Sequence, residues 1–200
     1  MNKRFYDILG LVLRPVYKVI FPGSRVTGSE NIPDEGGVII CANHIHWNDC
    51  LYLAAKVRNR RITYLAKVET MSNGLFKLVL GEKGLGAIPI HRGEADLTAV
   101  RACLQTVKDG DALGIFPQGT RSRDNTPTPM LNGVSMIAMR AGAPIIPIYI
   151  DGPYKLFHRI DVRIGKPVEI SDLGRRLDAA TMTAITDRIA SAIWSQRQKQ

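Results

Sequence analysis

Cysteine is scarce in this chain, with Cys41, Cys50 and Cys103 the only three in 200 residues. Three thiols without paired metal-ligand spacings exclude a disulfide framework and a structural zinc site, and no metal is expected. A reducing, cytoplasmic setting follows. Aromatic residues make up only 6% of the chain and no nucleic-acid-binding motif occurs, which argues against a nucleic-acid partner despite a net charge of +9. A bilayer span needs about 20 predominantly apolar residues, and the amino-terminal apolar stretch is too short and too interrupted by charge. No small-residue cleavage site follows it, so a secretory signal is not expected. There is no Pro/Gly/Ser-rich linker and no internal repeat.

What is present suits one domain: 45% hydrophobic residues over 200 positions are enough for a full core without disulfides or metal. From residue 38 onward, strand-like runs (38–42, 62–66, 87–90, 112–116, 145–150) alternate with helical ones. Leu97, Val100, Leu104 and Val107 share a helical face with Gly110 as its stop, Leu131 to Ala141 forms a short helix, and Thr181 to Gln198 carries Ile185, Ile189 and Ile193 four apart. This order predicts an α/β fold with a largely parallel central sheet flanked by helices, preceded by an amino-terminal amphipathic helix. The division is 1–24 for that helix and 25–200 for the main domain. Phe5, Ile8, Leu9, Val12, Val16 and Ile20 trace its apolar stripe, with Arg4, Asp7, Arg14 and Lys18 largely opposite. Such a helix either lies in a membrane interface or docks on the protein's own core. The cluster Lys56, Arg58, Arg60 and Arg61 is likewise either a contact for anionic lipid or a solvated face.

The chemistry concentrates in Asn43-His44-Ile45-His46-Trp47-Asn48-Asp49, directly after the run Val38 to Ala42. On a continuous helix a five-residue step turns the side chain roughly 140° off a shared face, so His44 and Asp49 meet only across a turn. Asn48 is the expected cap of a helix beginning at Asp49. In that arrangement Asp49 takes the proton-bearing nitrogen of His44 and leaves the other nitrogen free to accept a proton from a hydroxyl. A second block, Gly114-Ile115-Phe116-Pro117-Gln118-Gly119-Thr120-Arg121-Ser122, has the outline of an anion site: Gly119 for close backbone approach, Thr120 for a hydroxyl, and Arg121 for a guanidinium fork. Gly86 to Gly93, containing His91 and Arg92, and Ala143 to Ile150 complete the series. His46, His91 and His158 read as structural or exposed. In parallel α/β sheets the strands' carboxyl ends share one crevice, which would gather His44, Lys67, Arg92 and Arg121.

In order and spacing these four blocks resemble the glycerolipid acyltransferase family, above all its bacterial 1-acylglycerol-3-phosphate acyltransferases, over about residues 25 to 170. The resemblance implies His44 as general base, Asp49 as its partner, and Lys67, Arg92, Gly119, Thr120 and Arg121 around the acceptor phosphate, with Gln118 orienting the acceptor. It also implies a fatty acyl group passing directly from acyl-ACP or acyl-CoA, as co-substrate and with no cofactor, to the sn-2 hydroxyl of 1-acyl-glycerol-3-phosphate. The expected partners are the lysophospholipid acceptor, the acyl carrier protein or coenzyme A thioester, and a membrane surface. The expected location is the cytoplasmic face of the cell membrane, peripheral or monotopic. Two departures stand out: the family usually has Glu where this chain has Gln118, and a basic residue in place of Asn132 before Gly133. Other lysolipids or alcohols as acceptors, hydrolysis of the thioester, and a Cys–His pair using Cys41 or Cys50 are the competing chemistries.

Overall fold

The computed structural model describes residues 2–71, 74–81, 84–91, 96–122, 124–174 and 176–197. Its centre is a seven-stranded sheet built on β2 (Val38–Ala42), with every residue of that strand buried. Both faces of β2 are apolar, as a parallel strand covered on two sides requires. Val38, Ile40 and Ala42 point into one core, Ile39 and Cys41 into the other. On one side of β2 runs β6 (Ile145–Asp151), on the other β5 (Ala112–Ile115) followed by β3 (Ile62–Lys67) and β4 (Ile88–Ile90). All of these pair in parallel.

Two strands had no signal in the sequence. The strand β7 (Asp161–Ile164) pairs antiparallel with β6, and the two-residue β1 (Val26–Thr27) pairs parallel with β7, extending the sheet in the order β1-β7-β6-β2-β5-β3-β4. Their apolar runs are too short to register as periodicity. Salt bridges of Arg159 to Asp161 and Arg163 to Asp151 hold this edge.

One face of the sheet is covered by α5 (Leu97–Lys108), α6 (Gly133–Ala141) and α7 (Ala179–Trp194). Ile185, Ile189 and Ile193 face inward as their spacing predicts. In α5 Val107 is buried and Leu104 packs against the core as expected, but Leu97 is 59% exposed, and Ala99 and Cys103 are buried on the inward face. The other face is covered by α1 (Lys3–Ile20) and α2 (Asp49–Lys56). Short helices α3 (Val68–Met71) and α4 (Gly74–Leu80) follow β3.

The amino-terminal helix divides its apolar residues between two surroundings. Tyr6, Gly10 and Tyr17 are buried against the domain, while Ile8, Leu11, Val12, Val16 and Val19 are exposed. Pro15 sits inside α1 without ending it. Tyr6 accepts from the Ile62 N–H at 3.0 Å, and the Arg61 guanidinium forks onto Asp7. The basic cluster is correspondingly dispersed. Arg60 is buried and donates to the carbonyls of Pro33, Gly36 and Gly110, a structural post and not a lipid contact.

Gly114 links the sheet to the residues around His44. A Cβ at this position would lie 2.5 Å from the Tyr64 ring and 2.7 Å from Ile62 Cγ2, so only glycine lets Tyr64 lie across β5 and stack on Phe116. Gly114→Ala should lower stability by about 1–3 kcal/mol through overpacking, measured by chemical denaturation; an unchanged midpoint would contradict this packing.

Candidate active site

The turn after β2 is shaped by one carboxylate oxygen. Asp49, the first residue of α2 and fully buried, accepts through Oδ2 from the backbone N–H of Ile45 at 2.8 Å, the N–H of His46 at 2.9 Å and Nδ1 of His44 at 2.7 Å. An acid in the first turn of a helix also suits the positive end of the helix dipole. The chain reversal that the five-residue spacing demands is therefore made by Asp49 itself. An ionised carboxylate only accepts, so Nδ1 of His44 carries the proton and Nε2 is left as the basic nitrogen. Asn48 occupies the cap position, but its side chain makes no capping bond; it accepts from the Tyr17 hydroxyl of α1 at 2.6 Å instead. The Asn48 side chain thus makes a tertiary contact with α1 in place of a cap.

A second turn grips His44 from the neighbouring strand. Because β2 and β5 pair in parallel, with Cys41 opposite Ile115, their carboxyl ends open at the same edge of the sheet. The His44 N–H donates to Gln118 Oε1 at 2.6 Å, and the His44 carbonyl accepts from the Ser122 N–H at 2.8 Å. Phe116 stacks on the imidazole at 4.3 Å between centroids. Asn43 adds a tie to β6, accepting from the Ile150 N–H at 2.6 Å and donating to the Ile150 carbonyl at 2.9 Å. Both backbone groups of His44 and one face of its ring are thus fixed, while the side chain keeps 16% of its surface open.

That open edge faces a cavity of about 730 Å³, within the usual size range of small-molecule sites. Leu51, Leu65, Ala66, Val79 and Leu80 supply an apolar wall; Lys67, Thr120 and Arg121 supply cations and a hydroxyl. Of the four residues that the strand order gathers, His44, Lys67 and Arg121 line this cavity, and Thr120 lines it with them. Arg92 lies outside the described residues. Gly119 shapes the turn, with φ of 65° and Leu131 so close that a Cβ would meet it at 2.6 Å. Gln118 is buried and turned away from the cavity; its amide nitrogen donates to Thr128 while its oxygen holds the His44 N–H. Gln118, expected to orient the acceptor, is not among the residues that line this cavity.

The cysteine alternative loses its chemical footing. Burial pushes the Cys41 thiol up to about 12, and burial together with the Asp49 charge does the same for Cys50 in the cavity wall. Neither supplies thiolate near neutral pH. Among the described residues no group of three His, Cys, Asp or Glu side chains could hold a metal ion.

Comparison with known proteins decides the family. The model of the Acyltransferase family matches residues 23–151, a segment that contains the His44–Asp49 turn, Lys67 and the Gln118–Arg121 turn. The chain belongs to the acyltransferase family. Similar proteins include the 1-acyl-sn-glycerol-3-phosphate acyltransferase of Bacillus subtilis, 28% identical over 86% of this chain and 86% of that protein. The protein of the same name from Streptococcus pneumoniae is 28% identical over 94% of this chain and 71% of its own length. In fold, the chain matches the crystal structure of the 1-acyl-sn-glycerophosphate (LPA) acyltransferase PlsC from Thermotoga maritima with a TM-score of 0.73 and 20% identity, covering 98% of this chain and 81% of that one.

Sequence reasoning about this acyltransferase missed the aromatic support of the site. Tyr154, on the loop after β6, stacks on His46 at 4.5 Å and meets Tyr52 and Phe21 edge-on. Its hydroxyl and Asp49 Oδ1 are both buried without a hydrogen-bond partner among the described residues. The two groups are near neighbours: burial first, then the Asp49 charge and hydrogen-bonding reach, push the Tyr154 hydroxyl well above the usual phenol range. A tyrosine more than a hundred residues from Asp49 carries no local pattern, so only the folded sheet reveals it.

Gln118 generates a test specific to this acyltransferase. A glutamate there retains an acceptor for the His44 N–H, whereas Leu leaves that N–H unpaired. We expect Gln118→Glu to keep most of the turnover and Gln118→Leu to lose about 10- to 100-fold through the displaced histidine, read as steady-state kcat. Equal rates for the two variants would remove Gln118 from the support of His44.

Proposed function

We propose that this protein is a membrane-associated acyltransferase that moves a fatty acyl group from acyl-ACP or acyl-CoA to the sn-2 hydroxyl of 1-acyl-glycerol-3-phosphate, giving phosphatidate. The observation that carries the proposal is the 2.7 Å contact of His44 Nδ1 with Asp49, made at the mouth of a cavity that has an apolar wall and two cations. His44 Nε2 takes the proton of the acceptor hydroxyl as its oxygen attacks the thioester carbonyl. The carbon–sulfur bond then breaks, and the protonated imidazole returns the proton to the leaving thiolate. Asp49 steadies the imidazolium between those events. Lys67 and Arg121 bind the acceptor phosphate, Arg121 through its planar fork, and Thr120 adds a hydroxyl. Arg92 belongs to the same proposal on the family resemblance. The apolar wall takes an acyl chain. The names of the similar proteins support this substrate class.

Gln118 gives no reason for a different acceptor, because its amide serves the His44 backbone and not the cavity. Transfer to the lysolipid is favoured over hydrolysis by the two cations in the cavity lining, Lys67 and Arg121, which water as acceptor would not need. The test is a purified enzyme given one labelled thioester and a panel of lysolipids and alcohols. Phosphatidate is the expected product, and His44→Ala should cut its formation by about 10²–10⁴-fold without changing the circular dichroism. Free fatty acid as the sole product, or a His44→Ala rate above about a tenth of wild type, would contradict the assignment.

Association with the cytoplasmic membrane surface is part of the same reading. Among the described residues no helix is long and apolar enough to cross a bilayer, but α1 presents Leu11 at 70% and Val19 at 69% exposure. Burying such side chains in an interface contributes about 0.8 kcal/mol per CH₂. Deleting α1 is a poor test, since Tyr6 and Tyr17 would leave the core with it. Leu11→Ser combined with Val19→Ser should reduce vesicle flotation while leaving the melting temperature unchanged; undiminished flotation would remove this face as the membrane contact.

A further inference from the structure

We propose that the loop joining β6 to β7 is a second seat on an anionic bilayer, placed by the exposed pair Leu156–Phe157 and the cations around it. Leu156 is 61% and Phe157 67% exposed. Phe157 holds φ of 62°, a left-handed conformation that glycine or asparagine adopts readily and a bulky aromatic does not. The turn is closed by the His158 N–H to the Lys155 carbonyl at 3.0 Å, so the conformation is built in and not a loose end. The left-handed turn holds a phenyl ring that stays largely open to water, and an apolar phase outside the chain would cover it.

Position and charge select the occupant. The Phe157 N–H donates to the Ile20 carbonyl at the last turn of α1 at 2.8 Å, and Tyr154 packs edge-on against Phe21. The exposed pair therefore lies beside the exposed end of α1, where Val16 and Val19 are also open. Lys155, His158 and Arg159 flank it within the loop, and Lys18 sits in the last turn of α1. Arg159 is half-exposed and shared with Asp161. No acidic residue occurs from 152 to 160 or from 8 to 29. An exposed apolar pair with Lys155 and Arg159 next to it in the loop and Lys18 in the last turn of α1 fits the acyl–headgroup boundary of an anionic membrane. A second copy of this chain fits poorly, because a twofold contact through this patch would set the same cations against each other.

The seat also bears on the active site, since Tyr154 of the same loop reaches the Asp49 side of the histidine turn. Lipid contact at Leu156–Phe157 would thus bring the enzyme's cavity to the surface from which a lysolipid enters. That consequence rests on the acyltransferase reading; the binding itself does not.

The experiment uses the full chain with Leu156→Ser and Phe157→Asn together, asparagine being chosen because it tolerates the left-handed turn. Flotation is measured with phosphatidylcholine vesicles containing or lacking phosphatidylglycerol, beside acyl transfer to lysophosphatidate in detergent micelles and in vesicles. The expected result is an about tenfold weaker association with the anionic vesicles, with a melting temperature equal to or above that of the wild type and unchanged transfer in micelles. Wild-type flotation by the double variant, no preference of the wild-type protein for anionic vesicles, or conversion of a wild-type dimer to a monomer by the substitutions would each overturn the proposal. Loss of transfer in every format for the wild-type protein would overturn the enzymatic reading and leave the flotation result standing.

Discussion

The site depends on one buried oxygen. Asp49 Oδ2 takes the Ile45 N–H, the His46 N–H and the His44 ring N–H together, so the same atom folds the turn and sets the imidazole. A buried carboxylate is costly without hydrogen bonds, and the three donors that converge on Oδ2 make the turn specific: a path of residues 43–48 that withdrew them would leave the carboxylate with none among the described residues. Fold stability and proton chemistry are coupled here at a single atom.

The parallel sheet then converts a local turn into a site. Placing β5 beside β2 brings the Phe116–Ser122 turn against His44, where it binds both backbone groups and stacks on the ring. The next strand, β3, ends in Lys67 at the same edge. Preorganisation of this kind matters because a general base contributes only when its nitrogen is already within hydrogen-bond reach of the proton it takes. On the other side of the turn, α1 reaches the same residues through Tyr17 and Asn48, so a helix with an apolar outer face is tied directly to the histidine loop.

Much of this was legible in the residues, and the losses have physical causes. The parallel core strands followed from apolar runs, and the His44–Asp49 pairing from a spacing that only a turn can satisfy together with the family resemblance. The inward face of α5 was legible only in part, because Ala99 and Cys103 carry weak hydrophobic signals although both are buried there. Short edge strands β1 and β7 have no periodicity to read. Arg60 looked like part of a basic surface, and only the folded chain shows three carbonyls converging on it. Gln118 stands out only against the family resemblance, and its direction, inward to His44 and Thr128, was invisible. Tyr154 needed the third dimension altogether.

The central claim is that Asp49 fixes the tautomer of His44, with the proton on Nδ1 and Nε2 bare toward the cavity. Nitrogen-15 NMR of the imidazole in the folded protein near neutral pH tests it most directly. The account predicts a pyrrole-like shift and a directly bonded proton at Nδ1 with a pyridine-like shift at Nε2, and loss of that preference in Asp49→Ala. A protonated Nε2 with a bare Nδ1 in the wild-type protein would contradict it.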